Sequence, residues 1–478
     1  MHRLTTTVVA IAASLVPVQG VSACTIAAFG PSSTVDGRPM LWKNRDVNNQ
    51  NQEAHYFAGG RYRFVGNIYA GDEDNCWGGI NEAGFGIMNS DSENIGGFDS
   101  DDGMVMKLVL GTCATIDDFA ALMDSLNEIG RARAANFGVF DATGRVAMFE
   151  AANTWYKIYD EDEDSLGFLV RANYSMCGDT NRQTGKARYE RAMQLIVPEF
   201  RQHRISVEFV VRILTRDIGS TEFNPYPLPF KGQYEGLPYG FLPCGNCLGR
   251  PTTRSAEIMV GPKPGEPAGT GMMWIMLGTP FVAIPVPMWA SGGTLPQAVD
   301  GDETSEICDR AIDLRNYIFP DPGLPSAVNT FSVNAALGFF APTEANIFEM
   351  VREAQARWAG RTPDSAEAWN VTASACEQVI DAYDAFLGQF DWVVAGPEQV
   401  PDSRMTLVRD QLVARMPRGV DRVRVYDAQG RLVAGLSLPP GTDLLTWDTS
   451  GLPAGGYFLV FPDDTGIDLP PARFVKVD

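Results

Sequence analysis

Read for its hydrophobic and polar positions, the chain opens on an apolar run, Val8–Val16, preceded by Arg3 and broken by Pro17 and Gly20. Val21-Ser22-Ala23 then supplies the small residues of a cleavage site, so residues 1–23 read as a secretory signal. The run is too short to span a bilayer. Beyond it the pattern turns to strands. Cys24–Phe29 is apolar, Gly30–Arg38 is turn-rich around Asp36-Gly37, and Pro39–Trp42 is the return strand, ending in Lys43-Asn44-Arg45-Asp46. Such a hairpin carries Asp46 back beside Cys24. Lys43 and Arg45 are expected on alternate faces, so that one of them points into any site there.

The pattern then alternates between strands and helices. WGGINEAGFGIMNSDS (77–92) reads as a strand ending at Asn89. MVMKLVLGTCATIDDFAALMDSL (104–126) shifts to helical period, with Thr115 or Asp117 capping a second helix whose apolar face includes Phe119, Leu122 and Met123. NFGVFDATGRVAMFEAA (136–152) is strand, turn and strand about Asp141–Gly144, and SLGFLVRANYSMCGD (165–179) puts Asn173 just past a strand. GKARYERAMQLIVPEF (185–200) is an amphipathic helix. MMWIMLGTPFVAIPVPMWA (272–290) is the longest apolar stretch, but its Gly and three prolines make it a pair of buried strands rather than a membrane span. Residues 321–395 become helical in pattern, with Thr343 and Ser365 as expected caps. A linker is expected over 396–414, carrying most of AGPEQVPDS (395–403). Residues 415–478 alternate as a small β-sandwich turning at Asp427-Ala-Gln-Gly430.

Composition narrows the chemistry. With 478 residues, 45% hydrophobic and 20% charged, the chain is long enough for two or three domains with a sizeable core. Its net charge of −21 disfavours nucleic acid as a partner. Histidine is scarce: only His2, His55 and His203 occur, which excludes a histidine-rich metal centre. There is no Gly-x-Ser-x-Gly elbow, P-loop or Gly-x-Gly-x-x-Gly after a strand. No metal or cofactor is expected. Of the eight cysteines, seven remain beside Cys24, and export favours disulfides among them. Cys244-Gly-Asn-Cys247 is read as part of a local or cross-loop disulfide rather than a zinc site, because no second ligand pair has the right spacing.

Cys24 stands at the cleavage point, and two fates compete for it. A signal peptidase cutting after Ala23 leaves a cysteine with a free amine and thiol. A lipoprotein peptidase leaves it acylated and unable to act as a nucleophile. In the first case the amine, oriented by a nearby carboxylate, can take the thiol proton without any histidine. Cys24-Thr25, Thr34-Val35-Asp36-Gly37 and Asn44-Arg45-Asp46 together resemble the start of the cysteine N-terminal-nucleophile hydrolases, in their penicillin acyltransferase-like and choloylglycine hydrolase-like branches. Residues 77–92, Asn173, the helix at 185–200 and the strands of 251–290 continue the likeness over roughly residues 24–320.

The resemblance implies an α+β fold, a four-layer αββα sandwich, followed by the helical extension and the β-sandwich. It assigns Cys24 as nucleophile, Asp46 as the carboxylate orienting its amine, and Asn89 (backbone N–H) and Asn173 (side-chain amide) as the oxyanion hole. Lys43 stands where one branch keeps an arginine, with Arg45 as its competitor. Arg254 falls where an arginine is kept near the nucleophile, with Arg250 as a rival. The substrate implied is a small-molecule linear amide, hydrolysed or passed to an acceptor amine. A dipeptidase of the same fold and a surface lipoprotein anchored through Cys24 are the alternatives. Residues 415–478 resemble type-nine-secretion sorting domains and the FlgD-like immunoglobulin fold, which implies export and secretion machinery as a partner, with the protein secreted, periplasmic or at the cell surface.

Overall fold

The computed structural model describes residues 23–96, 102–131, 134–161, 166–319, 326–387, 406–408, 411–415, 421–428, 430–439, 444–461 and 472–476. The expected signal up to Ser22 and the stretch 395–403 lie outside them. The strands in chain order are β1 (Thr25–Phe29), β2 (Met40–Asp46), β3 (Gln52–Phe57), β4 (Phe64–Tyr69), β5 (Gly78–Asn81), β6 (Gly86–Asp91), β7 (Ala135–Phe140), β8 (Val146–Ala151), β9 (Tyr156–Asp160), β10 (Phe168–Arg171), β11 (Phe241–Pro243), β12 (Thr253–Val260), β13 (Met272–Leu277), β14 (Val286–Met288) and β15 (Ala327–Asn329). The helices are α1 (Asp102–Thr112), α2 (Ile116–Ile129), α3 (Lys186–Arg201), the short α4 (Val207–Phe209), α5 (Glu306–Ile318), α6 (Thr330–Arg357) and α7 (Ser365–Leu387).

Two antiparallel sheets form the centre. One has the order β10-β1-β2-β12-β13-β14, the other runs β3 to β9 in sequence. Period-two alternation splits the second sheet between two cores. Ile87, Phe137, Val139, Ala147 and Phe149 pack outward with Val109, Leu110, Phe119 and Met123 of α1 and α2. Met88, Phe140, Val146 and Met148 face inward onto the first sheet. That sheet is covered on its other side by α3, α5, α6 and α7, whose Ala192, Ile196, Ala311, Phe340, Ile347 and Val379 belong to the same cluster. The result is the expected αββα order of layers. Strands buried on both faces read as nearly continuous apolar runs, as Thr25–Phe29 does.

Several local expectations are corrected. The return strand of the first hairpin does not stop at Trp42 but runs through Asp46, pairing with β12 as well as β1. Asn89 lies inside β6, which continues to Asp91. Thr343 caps nothing: α6 runs unbroken through Pro342, because its buried residues on both sides of that proline share one core. Its cap is Asn329, whose side chain accepts from the N–H groups of Phe331 and Ser332. Ser365 is the first residue of α7, and Asp364 accepts the Glu367 N–H at 2.9 Å in its place. Thr115 is the cap of α2, in a reciprocal box with Asp118. All eight cysteines are free thiols, so the expected disulfide is absent; Cys247 instead donates to the Ile218 carbonyl at 3.1 Å.

The C-terminal strands are β16 (Thr406–Val408), β17 (Gln411–Arg415), β18 (Arg422–Asp427), β19 (Leu432–Ser437), β20 (Leu444–Asp448), β21 (Gly455–Val460) and β22 (Ala472–Lys476). They form a five-stranded sheet, β16-β22-β21-β18-β19, and a β17-β20 pair, around Leu412, Val423, Val425, Leu445 and Phe474. The β structure therefore starts within the expected linker. Tyr426 stacks on Tyr239, and Phe458 packs edge-on against Phe241.

Candidate active site

The site is assembled where β1, β2 and β12 meet the start of α3. Cys24 precedes β1 and is 4% exposed. The β2–β12 register shifts between Thr253 and Ser255, so Arg254 is the extra residue of a bulge. That shift places Thr253 beside Asp46, and its Oγ1 donates to Asp46 Oδ1 at 2.5 Å. Arg250 Nε lies 2.9 Å from Asp46 Oδ2, and Arg188 Nη1 lies 3.9 Å away. The backbone of Asp46 faces Cys24: its carbonyl accepts the Ala23 N–H at 3.1 Å, and its N–H favours the Cys24 thiolate. Asp46 is fully buried. Burial lifts its carboxyl above the ordinary range, against the pull of Arg250, Arg188 and Thr253.

Arg188 ties the parts together. Its Nη1 donates to the Cys24 carbonyl and to Thr25 Oγ1, both at 2.7 Å, and its Nη2 donates to Asn173 Oδ1 at 2.6 Å. Gly185, in the left-handed region at φ 79°, opens the helix; a Cβ there would sit 2.3 Å from Arg188 Nη2. Because Arg188 fixes the amide oxygen of Asn173, the Nδ2 group must point away from it, and it donates at 3.3 Å to the Asp91 carbonyl. The loop carrying Asn173 is pinned by Glu150, which accepts the N–H groups of Met176 and Cys177 at 2.7 and 2.8 Å and Arg171 Nε at 2.5 Å. Ser175 Oγ, bonded to Asn136 and Ser92 at 2.7 Å each, fixes it from the second sheet.

Lys43 and Arg45 share one face of β2, as residues two apart must, so the expectation of alternate faces is corrected. They diverge beyond the strand. Lys43 Nζ donates to the Trp77 carbonyl at 2.5 Å and to Asn89 Oδ1 at 2.7 Å, and its charge favours the Cys24 thiolate. Arg45 lies over the rings of Tyr69 and Trp77 at 4.2 and 4.6 Å and donates to Gln52. Asn89 is held from both ends of its amide, by Lys43 and by Asp102. Arg254 turns to the Val47 carbonyl and Gln50, each at 3.2 Å, while Arg250 contacts Asp46. Burial and the neighbouring Arg315 lower the Arg254 pKa to about 10.

Arg188 and Thr253 were missed as site residues. Arg188 could have been found: it falls in line with Ala192 and Ile196 at helical spacing, a charge within the buried stripe of α3. Thr253 could not, because the bulge that aims it is a product of strand pairing. Burial raises the Cys24 thiol above its usual pKa, with Asp46 and Asp91 adding to the rise and Lys43 opposing it. The thiol is therefore protonated at neutral pH and needs a base to become a nucleophile. A cavity of about 310 Å³ opens beside Ala23, lined by Glu93, Thr184, Arg188, Asn246 and Arg250.

No family model and no curated protein matches the chain. Among solved structures it is similar to a variant of the conjugated bile acid hydrolase from Clostridium perfringens, at 13% identity and TM-score 0.34, over 53% of this chain and 89% of that one. It is similar to penicillin V acylase from Agrobacterium tumefaciens at 14% identity and TM-score 0.34, over 59% and 88%. Penicillin G acylase from Alcaligenes faecalis matches at 12% and TM-score 0.30, over 40% and 51%. Likenesses this distant carry nothing about substrate. What the site itself offers is a buried thiol with no histidine beside it among the described residues, a carboxylate held nearby by two arginines, and an amide locked in one orientation.

Proposed function

We propose that this chain is an exported cysteine N-terminal-nucleophile hydrolase acting on a linear, non-peptide amide. The observation that carries the reading is the convergence on Cys24: Arg188 holds its carbonyl and the Asp46 carbonyl holds the N–H of Ala23 before it, while Arg250 and Thr253 fix the Asp46 carboxyl. Removal of residues 1–23 frees the Cys24 amine beside Asp46. That amine takes the Sγ proton as the Sγ–C bond forms, and Asn173 Nδ2 with the Asn89 backbone N–H receives the oxyanion. The ammonium returns the proton to the departing nitrogen as the C–N bond breaks. Water, deprotonated by the same amine, then releases the acid; an acceptor amine in its place makes the enzyme an acyltransferase. Burial of Cys24 at 4% exposure supports a bare cysteine over a lipid anchor, whose acyl chains need a path to the membrane. The C-terminal sandwich is read as a secretion-sorting or accessory domain.

Cys24→Ser in the processed protein should reduce turnover of amide substrates to background while melting temperature is kept. Full activity in that variant overturns the mechanism. Intact mass of the exported protein should give a chain starting at unmodified Cys24, and a diacylglyceryl adduct there rejects it.

A further inference from the structure

The cavity beside Ala23 holds one group whose bonding is incomplete. Glu93 Oε2 accepts from Thr184 Oγ1 at 2.6 Å, which orients the carboxylate, while its buried Oε1 accepts no hydrogen bond from any described residue. The two cations on the same wall are already engaged. Arg188 serves Cys24, Thr25 and Asn173. Arg250 serves Asp46, Thr252 at 2.9 Å and the Gly245 carbonyl at 3.2 Å. Among the described residues no large apolar side chain lines the cavity, so a bulky hydrocarbon finds none of them to pack against.

The chemistry of the step fixes which part of the substrate comes here. The departing nitrogen receives its proton from the Cys24 amine, so it must pass that nitrogen, and Ala23 is the residue bonded to it. We infer that the cavity seats the amine half of the amide, and that this half carries a second, protonated amino group that docks on Glu93 Oε1. The inference rests on the proposed nucleophile but concerns binding, so the two fail separately. A half-buried carboxylate whose spare acceptor oxygen is buried is a strong charge-assisted partner for an ammonium and none for a methyl group.

Two probes of nearly the same shape test it: N-acetylethylenediamine, which ends in an ammonium, and N-propylacetamide, which ends in a methyl. Binding is followed by ligand-observed NMR titration of the protein beginning at Cys24, wild type and Glu93→Gln. Wild type should bind the ammonium probe at least tenfold more tightly, and Glu93→Gln should erase the difference while leaving iodoacetamide labelling of Cys24 unchanged. Equal binding of the two probes by wild type, including none of either, overturns the inference, as does a preference that survives in Glu93→Gln. Retained turnover in Cys24→Ser would instead reject the nucleophile and leave the binding result standing.

Discussion

Arg188 and Arg191 stand three residues apart on α3, both buried, and each close to a buried aspartate. Arg191 makes a closed pair: Nε and Nη2 grip the two oxygens of Asp217 at 2.8 and 2.7 Å, and Nη1 takes Gln194. Its hydrogen bonds to Asp217 raise its pKa. Arg188 makes an open one. It stands 3.9 Å from Asp46, spends its donors on the Cys24 carbonyl, Thr25 and Asn173, and burial lowers its pKa. The same two residue types thus do different work. Fork-to-fork geometry satisfies both partners of the first pair and leaves nothing for chemistry. The second spreads one guanidinium over the backbone of Cys24, the Asn173 amide and the Asp46 carboxylate.

The sharpest way to break that contrast is to replace each arginine by methionine. Arg191→Met leaves Asp217 buried without its partner and should cost about 3–5 kcal/mol of stability, read by urea denaturation, with turnover per folded molecule kept. Arg188→Met should lose on the order of 10²-fold or more in kcat, since Asn173 and Cys24 lose their common anchor. The opposite assignment of losses would end the distinction. Asn173→Ala should lower kcat by about 10²–10³-fold with KM little changed, as removal of an oxyanion donor does; steady-state kinetics decide it. Thr115→Ala, in a capping box remote from the site, should cost about 1 kcal/mol and leave kcat untouched, and a larger change in kcat would couple α2 to the site.

The smallest effect is a pH dependence. Burial lowers the His55 pKa, but the hydrogen bond and charge of Asp300, 2.7 Å from Nδ1, outweigh it and the net shift is upward. A raised histidine stabilises the fold fully below its unfolded pKa of about 6.5, and that contribution fades as pH rises through the folded value. The ring is partly exposed, so the gain should be below about 1 kcal/mol. His55→Gln should flatten the melting temperature between pH 6 and 8, and a wild-type stability that climbs over that range would contradict the sign.

Much of the fold was legible because its signals are local. The hairpin from Cys24 to Asp46 follows from an apolar run, a turn at Asp36-Gly37 and a second run; the α2 cap is Thr115, one of the two candidates, with Asp117, that the sequence offers. Local signals also misled. Pro342 and Thr343 look like the end of one helix and the start of another, yet Val333, Ala336, Phe340, Ile347 and Phe348 all bury on the same core, and that burial carries the helix through a missing N–H. Cys244 and Cys247 look like a disulfide, but the fold buries them as thiols, and burial pushes Cys247 up to about 12.

By itself, then, the sequence determined the hairpin that returns Asp46 to Cys24, the alternation that sorts each strand's faces between two cores, and the scarcity of histidine that leaves the thiol without an imidazole base. The tertiary structure decided who holds whom. Arg188, Arg250 and Thr253 reach Asp46 or Cys24 from distant parts of the chain, through a helix start that needs a glycine and a bulge that no single strand encodes. Local pattern is written in neighbouring residues, whereas the partner of a buried charge is chosen by packing, which brings together groups that share no stretch of sequence.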